Sequence, residues 1–152
     1  MKKYNDQKFT TGGYTEYFTG IMLNFPGFET LKQINGHFLD IGCGSGVQIF
    51  SLAPHFKDVS FAGIDLSEPN ISSCNKELAS MSDSRKFNFI QDDFMQHEFT
   101  TKFSIAFSYS VFQLINASLD ELMMRVWEVL QPKGYFLLSM PYRCQYNKFV
   151  NY

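Results

Sequence analysis

Cysteine is scarce in this 152-residue sequence, and its three copies form no recognisable pair. Cys43, Cys74 and Cys144 lie far apart, and no CxxC motif occurs. An odd, dispersed set of thiols argues against a disulfide framework and against a structural zinc site. We therefore expect free thiols, no bound metal and a cytoplasmic location.

Long apolar runs and an excess of charge of one sign are also missing. No stretch approaches the roughly 18 apolar residues that a membrane helix requires, and the first residues lack the apolar core of a secretory signal. Thirteen basic residues stand against 15 acidic ones, and the basic residues are scattered. Because such a surface attracts neither nucleic acid nor an anionic membrane, we expect neither as a partner.

Apolar and aromatic residues are abundant instead, and from Gly36 onward they follow a regular order. Five segments predict buried strands: HFLDI, VSFAGID, KFNFIQ, FSIAFSYS and YFLLSMP. Helical patterns separate most of these segments, and Ser67 is in position to cap one of the helices. Strands joined by helical crossovers predict an α/β sandwich with a mainly parallel sheet.

The last predicted helix has the clearest signals. Ser118 and Glu121 have the spacing of a capping box at its start, and QPKG ends it. Apolar residues then recur every three or four positions, which predicts one buried helix face. That face would consist of Leu119, Leu122, Met123, Val126 and Leu130.

The turn between the first strand and the next helix, within LDIGCGSGV, is the most informative stretch. Gly42, Gly44 and Gly46 alternate with other residues directly after Asp40 and Ile41. Glycines permit a backbone with positive φ and lack the Cβ atoms that would block a ligand. In open α/β sheets, ligands bind at the carboxyl ends of the strands, close to such a turn. We interpret the turn as the floor of a binding site for a charged small molecule, in preference to a tight turn without a ligand.

Two acidic residues narrow the class of ligand. The dinucleotide pattern GxGxxG needs a glycine where this chain has Val47. Asp40 precedes the first glycine by two residues, and a carboxylate there suits a cationic ligand better than a pyrophosphate. Asp65 follows Gly46 by 19 residues, the spacing at which an acid accepts hydrogen bonds from ribose hydroxyls. A role for Asp65 at the start of the next helix is the alternative.

Over residues 36–141 the sequence resembles the class I S-adenosyl-L-methionine-dependent methyltransferases. LDIGCGSG is similar to the family's first motif and GIDLS to its second. FIQDDF resembles the segment after strand three, and WEVLQPKGYFLLS resembles the segment that leads into strand five. The resemblance implies a Rossmann-like three-layer sandwich with strand order 3-2-1-4-5. It also implies S-adenosyl-L-methionine as cofactor and S-adenosyl-L-homocysteine as product.

The resemblance further implies which residues contact the cofactor. Asp65 would hold the ribose, Leu66 would lie against the adenine, and Asp93 would meet the adenine amino group. Asp92 is a rival to Asp93 for that role. The glycine turn would surround the methionine part, and the end of strand four would offer backbone groups to it. The complete set implied is Asp40, Gly42, Cys43, Gly44, Gly46, Asp65, Leu66, Asp93, Phe94 and Ser108.

The sequence departs from the family most clearly after strand five. The family adds a helix and two strands after strand five, and residues 141–152 are too few for them. We therefore expect the C-terminal hairpin strands to be absent and strand five to be an apolar edge, which a homo-oligomer partner or a missing C-terminal region would cover. Residues 1–35 are expected to form a helical or lid segment before a cofactor-binding core at 36–152. Its aromatic side chains would either cover the cofactor or pack in the core: Tyr4, Tyr14, Tyr17 and Phe18.

The implied reaction is methyl transfer by in-line displacement, which needs a positioned acceptor more than a covalent enzyme group. No catalytic base stands out, since His37, His55 and His97 are each isolated in the sequence. A non-catalytic S-adenosyl-L-methionine-binding or interaction module is therefore the alternative. A nicotinamide-dependent oxidoreductase is disfavoured by Val47 and Asp40.

The acceptor class is narrowed by a motif that the chain lacks. Amino-directed nucleic-acid methyltransferases of this class carry Asn/Asp-Pro-Pro-Tyr after strand four, where this chain has Ser-Tyr-Ser-Val at 108–111. Together with the nearly neutral charge, this disfavours nucleic acid as the acceptor. A small molecule is favoured over a protein side chain, and the acceptor itself is not named by the sequence.

Overall fold

The described residues build one sheet of five parallel strands. The computed structural model describes Gly20, Leu23, Asn24, residues 26–81 and residues 86–140. The strands are β1 (Gly36–Ile41), β2 (Val59–Asp65), β3 (Phe87–Gln91), β4 (Phe103–Tyr109) and β5 (Leu130–Ser139). Their order is β3-β2-β1-β4-β5, and every neighbouring pair is parallel. The predicted Rossmann-like sheet with order 3-2-1-4-5 is confirmed.

Helices connect most of the strands, a loop at 92–102 joins β3 to β4, and local sequence explains where the helices begin. They are α1 (Phe28–Leu31), α2 (Val47–Leu52), α3 (Glu68–Ala79) and α4 (Leu119–Val129), with short 3-10 helices at Ala53–His55 and Phe112–Leu114. Ser67 caps α3, because its hydroxyl accepts a hydrogen bond from Asn70 N–H at 3.4 Å. Ser118 and Glu121 form the predicted capping box at the start of α4.

Each face of the sheet is covered by its own hydrophobic cluster. Along β1, Phe38 belongs to one cluster, and Leu39 and Ile41 belong to the other, because side chains alternate between the faces of a strand. The first cluster is rich in aromatic rings; Phe38 and Phe56, for example, meet edge to face at 5.0 Å between ring centroids. Burial on both faces explains why the strands read as apolar runs in the sequence.

The strand order reverses between β1 and β4, since the chain runs outward from β1 to β3 and then returns to β4. Two buried serine hydroxyls on β4 fasten this junction. Ser104 Oγ donates to His37 O at 3.1 Å, and Ser108 Oγ donates to Ile41 O at 2.9 Å. Ligand sites of open α/β sheets lie at such a reversal, at the carboxyl ends of the strands.

The predicted apolar face of α4 is wrong in part. Leu122 and Val126 are fully buried, but Leu119 and Met123 are 37% and 42% exposed, and Trp127 is 78% exposed. Leu130 already belongs to β5. The helix therefore buries a narrower stripe than its periodicity predicts, because β5 is the last strand on this side in the described part of the chain.

Some expectations fall outside the described residues. Tyr4, Tyr14, Tyr17 and Phe18 of the predicted lid lie there, as do residues 141–152. The boundary between residues 35 and 36 thus stays a prediction, although α1 before it buries Phe28 in the same cluster as Phe38. Among the residues described, no helix is long and apolar enough to cross a membrane.

The capping box gives a test of the fold. Ser118→Ala should lower the free energy of unfolding by about 1 kcal/mol, because α4 loses the acceptor for its third backbone N–H. Urea unfolding measures this change, with Ser73→Ala on the exposed face of α3 as the matched control. Equal stability of Ser118→Ala and the wild type would contradict the capping role.

Candidate functional site

The glycine turn lies at the carboxyl ends of β1 and β2, next to the reversal of strand order. Two hydrogen bonds hold it against β2: Gly42 N–H and Cys43 N–H both donate to Ile64 O, at 2.8 Å and 3.1 Å. Gly46 then begins α2. The turn is therefore fixed at its start, and the groups that follow it face the edge where a ligand would bind.

The alternating glycines serve different purposes. A Cβ atom on Gly42 would lie 2.3 Å from Val111 Cγ1 and 2.8 Å from Val111 Cβ, so packing excludes any side chain there. A Cβ on Gly46 would lie 3.0 Å or less from Phe50 and Cys74. At Gly44, with φ of +53°, a Cβ would meet nothing within 4 Å. Gly44 therefore borders open space above the turn, which is where a ligand would pass closest to the backbone.

Asp40 is a buried carboxyl group near the end of β1, two residues before Gly42. Its side chain is 1% exposed, and its Oδ2 atom has no hydrogen-bond partner among the described residues. Burial raises the pKa of Asp40 well above its usual value, and the charge of Asp65 raises it further. A buried, unpaired carboxylate is costly unless a cation accompanies it. The site is thus electrostatically suited to a positively charged group.

Asp65, at the end of β2, is the centre of a hydrogen-bond network. Its Oδ2 accepts from Gly44 N–H at 2.9 Å, and its Oδ1 accepts from Ser67 N–H at 2.8 Å. Asn70 Nδ2 donates to Oδ1 over a longer 3.4 Å. Leu66 beside it is 70% exposed. Both predicted roles of Asp65, as a ribose acceptor and at the start of the next helix, therefore remain compatible with its position. It bonds to residues at the start of α3, and it lies next to the glycine turn.

The loop after β3 separates the roles of Asp92 and Asp93. Asp92 Oδ1 accepts from Asp93 N–H, and Asp92 Oδ2 pairs with His97 Nδ1, both at 2.8 Å. The hydrogen bond from His97, followed by the one from Asp93 N–H, lowers the pKa of Asp92. Asp93 Oδ1 accepts from Met95 N–H at 2.9 Å. Its second carboxylate oxygen, Oδ2, has no partner among the described residues, so it is available to accept a hydrogen bond.

Three of the predicted site residues direct their side chains away from the crevice. Cys43 is 1% exposed and packs against the Cα of Gly63, and Phe94 is 5% exposed within a core cluster. The Ser108 hydroxyl donates its hydrogen bond to Ile41 O. Only the backbone of these residues is in a position to meet a ligand at this edge.

The three histidines lie in different parts of the structure. His37 lies at the amino end of β1 and bonds to Ser60 Oγ, and His55 packs edge-on against Phe28. His97 is held by Asp92 and by a ring contact with Phe99 at 4.6 Å. Neither His37 nor His55 is therefore near the glycine turn.

Sequence reasoning missed several residues that shape the site. Val111 and Gly63 matter through close packing against Gly42 and Cys43. Arg125 on α4 donates to backbone oxygens of the loop after β3. Neither packing distances nor bonds to backbone across 28 or more positions leave a signal in the residue pattern.

Comparison with known proteins assigns the family. The methyltransferase domain family matches residues 38–134 of this chain. A protein described as "Probable thiol methyltransferase 2" of Arabidopsis thaliana is 27% identical over 113 residues, which cover 74% of this chain and 49% of that protein. A carboxy-S-adenosyl-L-methionine synthase of Desulfotalea psychrophila is 27% identical over 111 residues, covering 72% and 45% of the two chains. This chain thus spans about half the length of the curated relatives it matches.

Solved structures agree on the fold. A glycopeptide N-methyltransferase complexed with sinefungin superposes with a TM-score of 0.67 at 21% identity, over 79% of this chain and 48% of that one. Phosphoethanolamine N-methyltransferase 2 of Haemonchus contortus, in complex with S-adenosyl-L-methionine, gives a TM-score of 0.63 at 27% identity, over 70% and 24%.

The chain belongs to the methyltransferase domain family. The predicted resemblance to class I S-adenosyl-L-methionine-dependent methyltransferases is confirmed, and so is the cofactor of that family. The residues at the crevice fit this cofactor, because the ammonium group of its amino-acid end would partner the unpaired Oδ2 of Asp40 and its path over the turn needs the open space at Gly44.

Two glycine substitutions separate packing from ligand binding. Gly44→Ala should lower the free energy of unfolding by only about 1 kcal/mol, from left-handed backbone strain. Its affinity for S-adenosyl-L-homocysteine should fall more than about tenfold, because the new methyl group enters the crevice. Gly42→Ala should lose about 2–4 kcal/mol of stability, since it adds a clash with Val111 to the same strain. Urea unfolding and calorimetry measure both effects. A Gly44→Ala protein that binds like the wild type would show that the open space is not the ligand site.

Asp40 predicts a pH dependence of stability. Its folded-state pKa is raised above the unfolded value of about 3.9. The protonated carboxyl therefore contributes stability that is fully present below about pH 4 and is lost as the pH rises through the raised folded value. We expect Asp40→Asn, without cofactor, to gain stability relative to the wild type over this window. Urea unfolding across a pH series tests this, and parallel curves for the two proteins would contradict it.

Proposed function

We propose that this chain is the cofactor-binding domain of an S-adenosyl-L-methionine-dependent methyltransferase that acts on a small-molecule acceptor. The observation that carries the proposal is the buried Asp40 carboxyl, whose Oδ2 has no partner in the described part of the chain. An ammonium group above the glycine turn would supply the missing partner. Such a charged hydrogen bond is among the stronger ones available to a protein.

The ribose role of Asp65 is supported by counting acceptors. A carboxylate offers about four lone-pair positions, and three are used by Gly44, Ser67 and Asn70. One position on Oδ2 is open, and the 3.4 Å bond from Asn70 is the weakest of the three because it is the longest. Two ribose hydroxyls can therefore be accepted if one of them replaces Asn70. The exposed side chain of Leu66 supplies an apolar surface for the adenine next to it.

Asp93 completes the set as acceptor for the adenine amino group. Asp92 is engaged by His97 and by the backbone of Asp93, whereas Asp93 keeps one carboxylate oxygen available. Gly44 keeps the backbone low beneath the cofactor, because no Cβ projects into the crevice. Together, the carboxyl groups of residues 40, 65 and 93 would read the ammonium, ribose and adenine parts of one molecule.

When bound, the cofactor supplies an electrophilic methyl group on a sulfonium centre. What the chain contributes is position: it holds the cofactor at the carboxyl ends of β1 and β2 and leaves the β4 side for an acceptor. Alignment of two reactants can contribute about 7–11 kcal/mol in favourable cases. The absence of Asn/Asp-Pro-Pro-Tyr after β4 supports a small molecule, as do relatives named for thiol and phosphoethanolamine substrates. The free, buried thiols of Cys43 and Cys74 support a cytoplasmic protein.

Binding of the cofactor is the first test. Calorimetric titration of the 152-residue chain with S-adenosyl-L-methionine and S-adenosyl-L-homocysteine should give micromolar affinity, and NADH should give none. Asp40→Asn should weaken both sulfur ligands at least about tenfold, because the neutral amide loses the charged bond to the ammonium. A folded chain that binds neither ligand, or an unaffected Asp40→Asn variant, would contradict the proposed site.

Proton linkage sharpens the same experiment. If binding ionises Asp40, the wild type releases a proton on binding, and its observed enthalpy depends on the ionisation enthalpy of the buffer. Asp40→Asn should lack that part of the dependence. Methyl transfer from labelled cofactor to metabolites then separates an enzyme from the alternative, a non-catalytic binding module, since only the enzyme consumes the cofactor.

A further inference from the structure

Arg125 on α4 connects that helix to the loop after β3, which carries Asp93. Its Nε donates to Phe94 O at 3.1 Å, and its NH2 group donates to His97 O. Its NH1 group pairs with Glu128 at 2.9 Å. One guanidinium group therefore bridges two carbonyls of the loop and is itself held in orientation by a carboxylate of its own helix.

The loop needs such an external donor. Its own N–H groups turn inward: Gln96 and His97 both donate to Asp93 O, at 2.9 Å and 2.8 Å. Met95 N–H donates to the Asp93 side chain. These bonds close a compact turn around Asp93 but leave the carbonyls of Phe94 and His97 pointing outward. Because buried carbonyls require partners, the bond from Arg125 to Phe94 O completes the turn at its buried residue, and the bond to the half-buried His97 adds a second attachment.

Aromatic packing fixes the guanidinium in place. Its carbon lies 5.8 Å from the ring centroids of both Phe94 and Phe99, within the range of cation–π attraction. The Arg125 side chain is only 18% exposed. A planar group packed between rings and bonded at three nitrogens has little freedom to move. The position of the Asp93 turn is thus tied to α4 rather than to β3 alone.

We propose that Arg125 is a positioning residue for adenine recognition, which it serves by holding the Asp93 turn so that the Asp93 carboxylate meets the adenine amino group. This inference rests on the proposed function, because Asp93 is an adenine acceptor only if the cofactor binds here. The hydrogen bonds of Arg125 go to Phe94, His97 and Glu128 and not to Asp93 itself, among the described residues. Arg125 acts through two backbone carbonyls within the turn, those of Phe94 and His97, which both follow Asp93 in the chain.

The test compares two ligands that differ at the adenine amino group and at the neighbouring ring nitrogen N1, which carries a hydrogen only in the inosyl base. S-adenosyl-L-homocysteine has that amino group, and S-inosyl-L-homocysteine has a carbonyl oxygen in its place. The wild type should prefer the adenosyl ligand at least about tenfold, since a bond to a charged acceptor is lost with the inosyl ligand. Arg125→Ala should reduce this preference to about twofold or less. Arg125→Lys should fall between them, because an ammonium cannot span both carbonyls as the planar guanidinium does.

Two control variants separate positioning from stability. Glu128→Gln removes only the charge of the exposed partner of Arg125, since its amide oxygen can still accept from the NH1 group, and it leaves both loop carbonyls bonded. The preference should therefore stay within about twofold of the wild type. Ser118→Ala destabilises the same helix from its far end and should also keep the preference. All affinities are measured well below the unfolding temperature of each variant, which thermal denaturation supplies.

The outcomes are distinct. A wild type that binds neither ligand overturns the proposed function itself. A wild type that binds both ligands equally removes the adenine role of Asp93 and, with it, the role of Arg125. A normal preference in folded Arg125→Ala overturns this inference alone, and so would an equal loss of preference in Ser118→Ala. Loss of preference confined to the Arg125 variants supports it.

Discussion

The burial of Asp40 at the end of the central strand is the constraint around which this domain is arranged. β1 is flanked by β2 and β4, so a polar group at its carboxyl end is enclosed by both neighbours. Desolvation of an ionised carboxylate costs on the order of several kcal/mol, and no described residue offsets that cost through Oδ2. The fold tolerates this group next to the reversal of strand order, where ligands of open α/β sheets bind. A site that is unfavourable when empty and favourable with a cation is well suited to a cationic cofactor.

The glycine turn shows how packing and binding share one short segment. A Cβ on Gly42 would clash with Val111, and a Cβ on Gly46 would clash with Phe50 and Cys74. Neither position could therefore carry a side chain even in a protein without a ligand. Gly44 faces open space, and its N–H is oriented by Asp65. The turn is thus anchored by its outer glycines and accessible at its middle one. The Cys43 thiol is buried and free, and its hydrogen bond with the Cys74 thiol, followed by burial, raises its pKa, which makes it a packing group.

Hydrogen bonds between elements that are distant in the sequence hold the parts of the site in place. Ser104 and Ser108 join β4 to β1 through buried hydroxyls. Asp65 joins β2 to the glycine turn, and Arg125 joins α4 to the loop after β3. Most of these bonds run from a side chain to backbone, so they position whole segments instead of single groups. The three carboxyl groups assigned to the cofactor consequently sit on connected supports.

The sequence by itself determined the strands and the capped helices through local periodicity and cap spacing. The order of the sheet and the family followed from the resemblance of short motifs around Asp40, Asp65 and Asp93 to a known family. Only the tertiary structure decided which side chains are buried and which groups they bond to. In the structure, the side chains of Cys43 and Phe94 are buried in the core, and Asp92 is hydrogen-bonded to His97. Part of the apolar stripe of α4 is exposed. The structure also revealed Val111 and Arg125, whose effects depend on contacts across many residues of chain. The physical reason is that a residue pattern records local geometry, whereas burial and bonds to backbone oxygens depend on which elements the fold brings together.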